Sequence, residues 1–262
     1  MVTQRLVEPL SPVRIRIGTP EIMKNKNDLL IGFSHGVCHK FINPFSLENI
    51  NNLKNSKINA IEIHLHSYKD LDQLEVITES IKGFKYKSIH LPCDLRYQND
   101  DLNHDFLKKV QDYYLSINAD LVVVHPDIVS DFSIFDKYNL MIKAVENMDN
   151  KKASFKYLED FKIFFEKHKN WNLVLDLNHS YSNDPSMDSA KAFIVIFQDK
   201  IKQFHISGFE YLHEPLFKTQ QLEIINCAQI IDKPIIIESE FEVSDGAEAV
   251  LKEFNFILNS LN

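Results

Sequence analysis

Seven short apolar runs in this chain end in side chains that can bind a metal or carry a proton. Glu62, His64 and His66 occupy alternate positions in NAIEIHLH, His90 closes IHLP, and His125 stands in VVVHPD. Glu146 lies in AVENM, Asp176 and His179 in LDLNH, His205 in FHISG, and Glu238 in IIIES. Singly, each has an ordinary explanation: a histidine after a strand is commonly a loop residue, and a carboxylate there is commonly a helix N-cap. Together they point to a shared cation. Glu146, Asp176 and Glu238 directly follow apolar runs (AV, LVL and III), where an uncompensated carboxylate is costly to bury. A divalent ion offsets that cost. Carboxylate oxygen with imidazole nitrogen suits zinc, manganese, iron or cobalt better than calcium.

Such residues need a scaffold that gathers the ends of successive strands. Strand patterns at 29–34, 59–65, 87–91, 120–125, 142–147, 172–177, 201–206 and 234–239 alternate with helical ones. The helices are expected near 46–55, 69–83, 103–117, 133–140, 155–168, 187–198, 217–230 and 245–260. Eight β-α units predict a single-domain α/β fold, a (β/α)8 TIM barrel over 29–262, with chemistry at the C-terminal strand ends. An open doubly wound sheet is the alternative. Residues 1–28 read as an N-terminal arm, in which Arg14, Ile15, Arg16 and Ile17 alternate like a short outer strand. On strand two, Glu62, His64 and His66 share one face and Ile61, Ile63 and Leu65 the other, so the polar face lines the barrel. Glu238 and Glu240 also share a face, and Glu238, one step after the apolar run, is the expected ligand.

The length of 262 residues suits one TIM barrel, typically about 250. No run approaches the roughly 18 apolar residues of a membrane span, and the N-terminus has no apolar signal core. Cys38, Cys93 and Cys227 are far apart and form no CxxC pair. Reduced thiols in the cytoplasm are therefore expected, and zinc held by cysteine is not. A formal net charge of −8 counts against a general nucleic-acid binder, and neither common glycine-rich nucleotide loop occurs.

The ordered set IHLP, VVVHPD, VENM, LDLNH, FHISG and PIIIES resembles the xylose isomerase-like TIM barrels. That superfamily holds sugar isomerases and epimerases and the endonuclease IV type of apurinic endonuclease. The resemblance runs from about residue 29 to the end. In the isomerase and epimerase branch it implies one metal held by Glu146, Asp176, His205 and Glu238. In the endonuclease branch it implies that Glu146 also bridges to a second metal held by His90 and His125. A third metal there uses a histidine matching His179 and an Asp-x-His segment, for which this chain offers Glu210-Tyr211-Leu212-His213. His213 fits, but Tyr211 stands where the aspartate belongs. The chain also has Met148-Asp149-Asn150-Lys151-Lys152 in place of a glycine-rich stretch, and a short loop after strand seven. Both departures remove parts that hold DNA in that branch.

Two readings of the chemistry stay open. A phosphoesterase would use two or three cations, Zn or Mn, with His179 or His213 as a further ligand or general acid. An isomerase or epimerase of a sugar or sugar phosphate would use one cation, with Glu146 and Glu238 removing and returning a proton. A non-catalytic barrel that keeps its metal is the third possibility. Substrate contacts are assigned to Glu62, His64 and Ser207 at the barrel mouth, with Arg96 and Lys152 as phosphate-binding candidates. Phe33, His35, Phe41, Phe209 and Tyr211 are pocket-lining candidates. Asp245 is read as a helix cap in preference to part of a phosphate seat.

Overall fold

The computed structural model describes residues 29–54, 57–246 and 248–261. The expected arm at 1–28 lies outside the described residues. Eight parallel strands close in sequence order: β1 (Ile31–Ser34), β2 (Ala60–His64), β3 (Tyr86–His90), β4 (Leu121–Val124), β5 (Lys143–Glu146), β6 (Asn172–Asp176), β7 (Ile201–Ile206) and β8 (Ile235–Ile237). Pairing of β1 with both β2 and β8 rules out the open sheet. The helices are α1 (Leu47–Leu53), α2 (Leu74–Ile81), α3 (Asp101–Ser116), α4 (Leu158–Lys167), α5 (Leu177–Asn183), α6 (Asp188–Phe197), α7 (Leu216–Thr219), α8 (Leu222–Ala228) and α9 (Glu248–Ser260).

The pleat sorts the side chains. Ile61, Ile63, Val122, Val124, Leu173, Leu175, Phe204 and Ile206 join the continuous apolar layer between sheet and helices. Leu121, Val123, Ala144 and Val174 form a separate cluster, as do Ala60, Tyr86 and Ile236 with Leu30. These alternate residues fill the inside of the lower barrel. The next inward positions up the strands are polar, so the apolar plug becomes the floor of the site. Phe33 falls on the outer face, packing against the Phe241 and Phe254 rings with centroids 6.5 Å away in each case, and so does not line the pocket.

Three helical expectations change. Residues 133–140 hold a 3₁₀ helix, Phe132–Lys137, whose Phe132 and Phe135 rings pack on Trp171. Six residues cannot offset the cost of nucleating a longer α-helix, so ring packing sets the shape. The expected helix over 217–230 is split at Gln220, which takes a left-handed conformation with φ of 58°. An unexpected helix, α5, starts directly after β6 because the Asp176 carboxylate accepts the His179 backbone N–H at 2.7 Å and caps it. Asp245, expected to cap the last helix, accepts the Glu242 N–H at 2.9 Å in the turn before it and pairs with Lys218 at 2.6 Å.

Gly32 sits where β1 crowds β2, and a Cβ there would collide with the Ala60 backbone carbonyl. Backbone cannot give way as a side-chain tip can. Gly32→Ala should therefore destabilise the barrel by about 1–3 kcal/mol or more, read as a lower urea midpoint with an unchanged slope.

Candidate metal centre and barrel mouth

Glu146 ends β5 and is 1% exposed. Its two oxygens face different partners. Oε1 lies 3.2 Å from His205 Nδ1 and 3.5 Å from His179 Nδ1. Oε2 lies 3.0 Å from His90 Nε2 and 3.3 Å from His125 Nε2. Glu146, Asp176, His205 and Glu238 each offer a ligand atom, all within 4.8 Å of one another. His90, His125 and Glu146 make a second such group. The last four strands thus bring together the quartet expected from their ends.

Neighbouring side chains orient these groups. His205 Nε2 is 3.2 Å from Glu62 Oε2, which also accepts from Ser88 Oγ and Gln203 Nε2, each at 2.8 Å. That contact occupies Nε2 and leaves Nδ1 to face Glu146 and Glu238, at 3.2 and 3.4 Å. A carboxylate behind a histidine in this way fixes the ring and raises its basicity as a ligand. Asn147 locks β5 to β6: its Nδ2 donates to the Asp176 carbonyl at 2.9 Å, and its Oδ1 accepts the Asp176 N–H at 2.7 Å. His179 Nδ1 is held 2.7 Å from the Asn147 carbonyl.

Charge is unevenly spread. Burial alone would raise the Glu146 carboxyl, but the His205 and His125 imidazoles prevail and hold it well below the usual range. Glu238 goes the other way: burial, reinforced by Glu146 and Glu62, pushes it well above that range despite His205. Burial lifts Asp176 to about 6. Glu62 is held down at about 2, where His205 overcomes the effect of burial. Burial would lower His205, but Glu238, Glu62 and Glu146 keep its imidazole well above the ordinary value. Protons thus stand in for missing positive charge among crowded carboxylates. The Asp176 Oδ2 atom is buried with no hydrogen-bond partner among the described residues. An orphan oxygen inside an O₃N set is the mark of a cation site, so the residues fit a divalent metal.

The other candidates fall at varied distances from this centre. Glu62 is fully buried beneath it, where it can hold His205 but cannot reach a substrate. Ser207 is likewise buried, with its hydroxyl 2.9 Å from His213 Nδ1. His64 and His213 line a cavity of about 200 Å³ at the mouth, together with Ser34, Gly36 and Glu238. His213 lies near His179, with ring centroids 5.7 Å apart, but Glu210 is exposed and Tyr211 is 77% exposed. No third ligand group assembles there among the described residues. Lys152 is paired with Asp127 at 2.9 Å, and Arg96 is exposed outside the cavity. His35 is fully buried, where its Nδ1 accepts the His64 N–H at 3.1 Å. Phe41 and Phe209 are only partly buried, outside the mouth cavity. Glu240 pairs with Lys40 at 3.2 Å. A larger cavity, about 870 Å³, lies at the start of β5 and β6, around Lys143, Trp171 and Asn172, away from this chemistry.

Sequence reasoning missed Asn147, Asn178 and the approach of Cys93 Sγ to His125 Nε2, at 3.7 Å. Asn178 ties α5 to the loop after β7 through the Gly208 and Leu212 carbonyls, at 2.5 and 2.9 Å. Asn147 carried a signal, an amide directly after a strand-end glutamate. Asn178 carried none.

No protein-family model matches the chain, and no curated protein does. Solved structures do. The apo form of 3-keto-D-glucoside 4-epimerase from E. coli is 12% identical, covering 88% of this chain and 99% of that one, with a TM-score of 0.62. D-Psicose 3-epimerase with D-tagatose, from Clostridium cellulolyticum H10, is 10% identical over 89% of this chain and 100% of that one, with a TM-score of 0.61. The TTHB071 protein of Thermus thermophilus, soaked with ZnCl2, is 15% identical over 88% and 96%, with a TM-score of 0.60. At these identities the likeness is one of fold alone: a closed eight-stranded parallel barrel. Among the described residues no helix is long and apolar enough to cross a membrane.

Two outcomes follow for metal-stripped protein titrated with Mn2+ or Zn2+. Asp176 and Glu238 both bind a cation as carboxylates and both are pushed up, so affinity should weaken steadily as pH falls and drop further as it passes through about 6, where Asp176 takes up its proton. Glu62→Gln should keep the fold, by circular dichroism, yet weaken binding about 10- to 100-fold in a chelator competition.

Proposed function

We propose that this protein is a divalent-cation-dependent isomerase or epimerase acting on a small sugar or sugar phosphate. The observation that carries this reading is the convergence of Glu146 and Glu238 on His205 Nδ1, at 3.2 and 3.4 Å, with Glu238 lining the mouth cavity. Their surroundings push the two carboxyls in opposite directions, Glu146 towards the anion and Glu238 towards the acid. A pair split in this way can take a proton from one face of a carbon and supply one to the other.

Glu146, Asp176, His205 and Glu238 would hold the cation. When bound, it polarises neighbouring substrate oxygens and acidifies the hydrogen on the carbon between them. His64 and His213 reach the cavity wall, where their ring nitrogens can bind hydroxyl groups and orient the sugar. A cavity of about 200 Å³ is below the common range for ligand sites, about 300–1,000 Å³, which favours a small substrate over a polymer. The epimerase names of two barrels with this fold agree with that class.

A second reading, two-cation phosphoester hydrolysis, draws on one observation: His90 and His125 both contact Glu146 Oε2. The two are separable. Protein loaded with Mn2+ and incubated in D2O with a panel of ketohexoses, aldohexoses and their phosphates should build deuterium into a carbon-bound position, read by NMR. Glu146→Gln and Glu238→Gln should each slow exchange by about 100-fold or more. Absence of exchange across the panel, with turnover of bis(p-nitrophenyl) phosphate instead, would decide for hydrolysis.

A further inference from the structure

The cavity of about 870 Å³ opens at the foot of the barrel, where β5 and β6 begin, at the opposite end from the mouth. Lys143, Lys167 and Lys169 line it. Lysines elsewhere, such as Lys82, Lys108 and Lys162, pair with carboxylates at 2.7 Å. These three form no salt bridge among the described residues, although the chain has 37 acidic and 29 basic residues. Lys167 suits the C-terminal end of α4, but Lys143 starts a strand, where no helix dipole calls for a cation. The Lys143 Nζ donates to the Phe135 and Tyr138 carbonyls at 3.3 and 3.0 Å, which leaves its third N–H for a ligand. Burial pushes the Lys143 ammonium down, against the pull of Asp136, so its charge is short of a partner. Beside the lysines the lining is aromatic. Trp171 meets Phe132 and Phe135 edge-on, with centroids 5.3 and 5.1 Å away, and the half-buried Phe132 and His168 rings lie 5.0 Å apart.

We propose that this groove is a second ligand site and that it takes a free nucleotide, with the phosphates on Lys143, Lys167 and Lys169 and the base against the Phe132 and His168 rings. The mixed charge of the lining decides the class of ligand. Asp131 and Asp136 share the groove and would repel a bare polyanion. A nucleotide carries ribose hydroxyl and base amine donors that those carboxylates can accept. The concave shape fits a small molecule better than a flat lipid surface, and the volume falls in the common range for ligand sites, about 300–1,000 Å³. Lysine side chains hold the phosphates here, so the site needs neither of the glycine-rich loops that the chain lacks. The site lies at the far end of the barrel from the carboxylate quartet and does not depend on the isomerase reading.

Trp171 is the only tryptophan in the chain and lines the groove, so its fluorescence reports on this site. The full chain is titrated with ADP, adenosine, inorganic phosphate and tripolyphosphate, with free tryptophan as the inner-filter control. ADP should change the emission saturably and bind at least about tenfold more tightly than any of the other three. Lys167 and Lys169 are exposed, so the double variant Lys167→Glu, Lys169→Glu should fold, by circular dichroism, and bind ADP about tenfold or more weakly. No saturable change with ADP, or equal ADP affinity in the double variant, would overturn the proposal. Tripolyphosphate binding as tightly as ADP would reduce the groove to a basic patch, and a short single-stranded RNA displacing ADP at lower concentration would assign it to nucleic acid instead; either result also overturns it.

Discussion

The upper half of this barrel depends on keeping one carboxylate, Glu146, ionised at 1% exposure. An isolated charge there would cost many kcal/mol, so it needs a partner for each oxygen. The sequence supplies His205 and His179 on one side and His90 and His125 on the other. Three further carboxylates, Glu62, Asp176 and Glu238, crowd the same space. Glu62 Oε2 is engaged by His205, Ser88 and Gln203, and these hold Glu62 as the anion although its Oε1 has no hydrogen-bond partner among the described residues. Asp176 Oδ2 and Glu238 are the places where positive charge is still short, which is where a cation would lie.

The barrel makes this crowding possible because its register puts polar residues from different strands at one height. Glu62 pairs with Ser88, His64 with His90, and Asp176 with His205. Each strand turns alternate residues inward, so a rise of two residues carries the interior from Val174 to Asp176 and from Ile236 to Glu238. The apolar plug below excludes water from the underside. It therefore strengthens every charge interaction above it as well as the fold itself.

The quartet was readable in the sequence because two strong patterns coincide there: an apolar run names the strand, and the residue that breaks it names the mouth. Parity placed Glu62 on the inner face but could not tell that it lies one layer too deep to meet a substrate. That depth depends on the stagger between strands. Helix α5 was hidden because Asp176 reads as a metal ligand while its other oxygen serves as a helix cap. Cys93 was hidden for a different reason: a turn residue has no periodicity, and only the path set by Pro92 and Tyr97 returns its sulfur to His125. The first 28 residues, read as an arm, fall outside the described residues.

The two ligand groups differ in what they leave open, and that difference bears on chemistry more than their number does. Two imidazoles and one carboxylate oxygen, from His90, His125 and Glu146, leave one of zinc's usual four positions to a ligand from outside the group. Three carboxylates and one imidazole can serve an ion that accepts five or six ligands, with positions to spare facing the cavity that Glu238 lines. Hydrolysis across two ions would need both groups filled at once, with a nucleophilic water between them. In such an arrangement Glu146 couples the two, because any shift of its carboxylate towards one ion weakens its hold on the other.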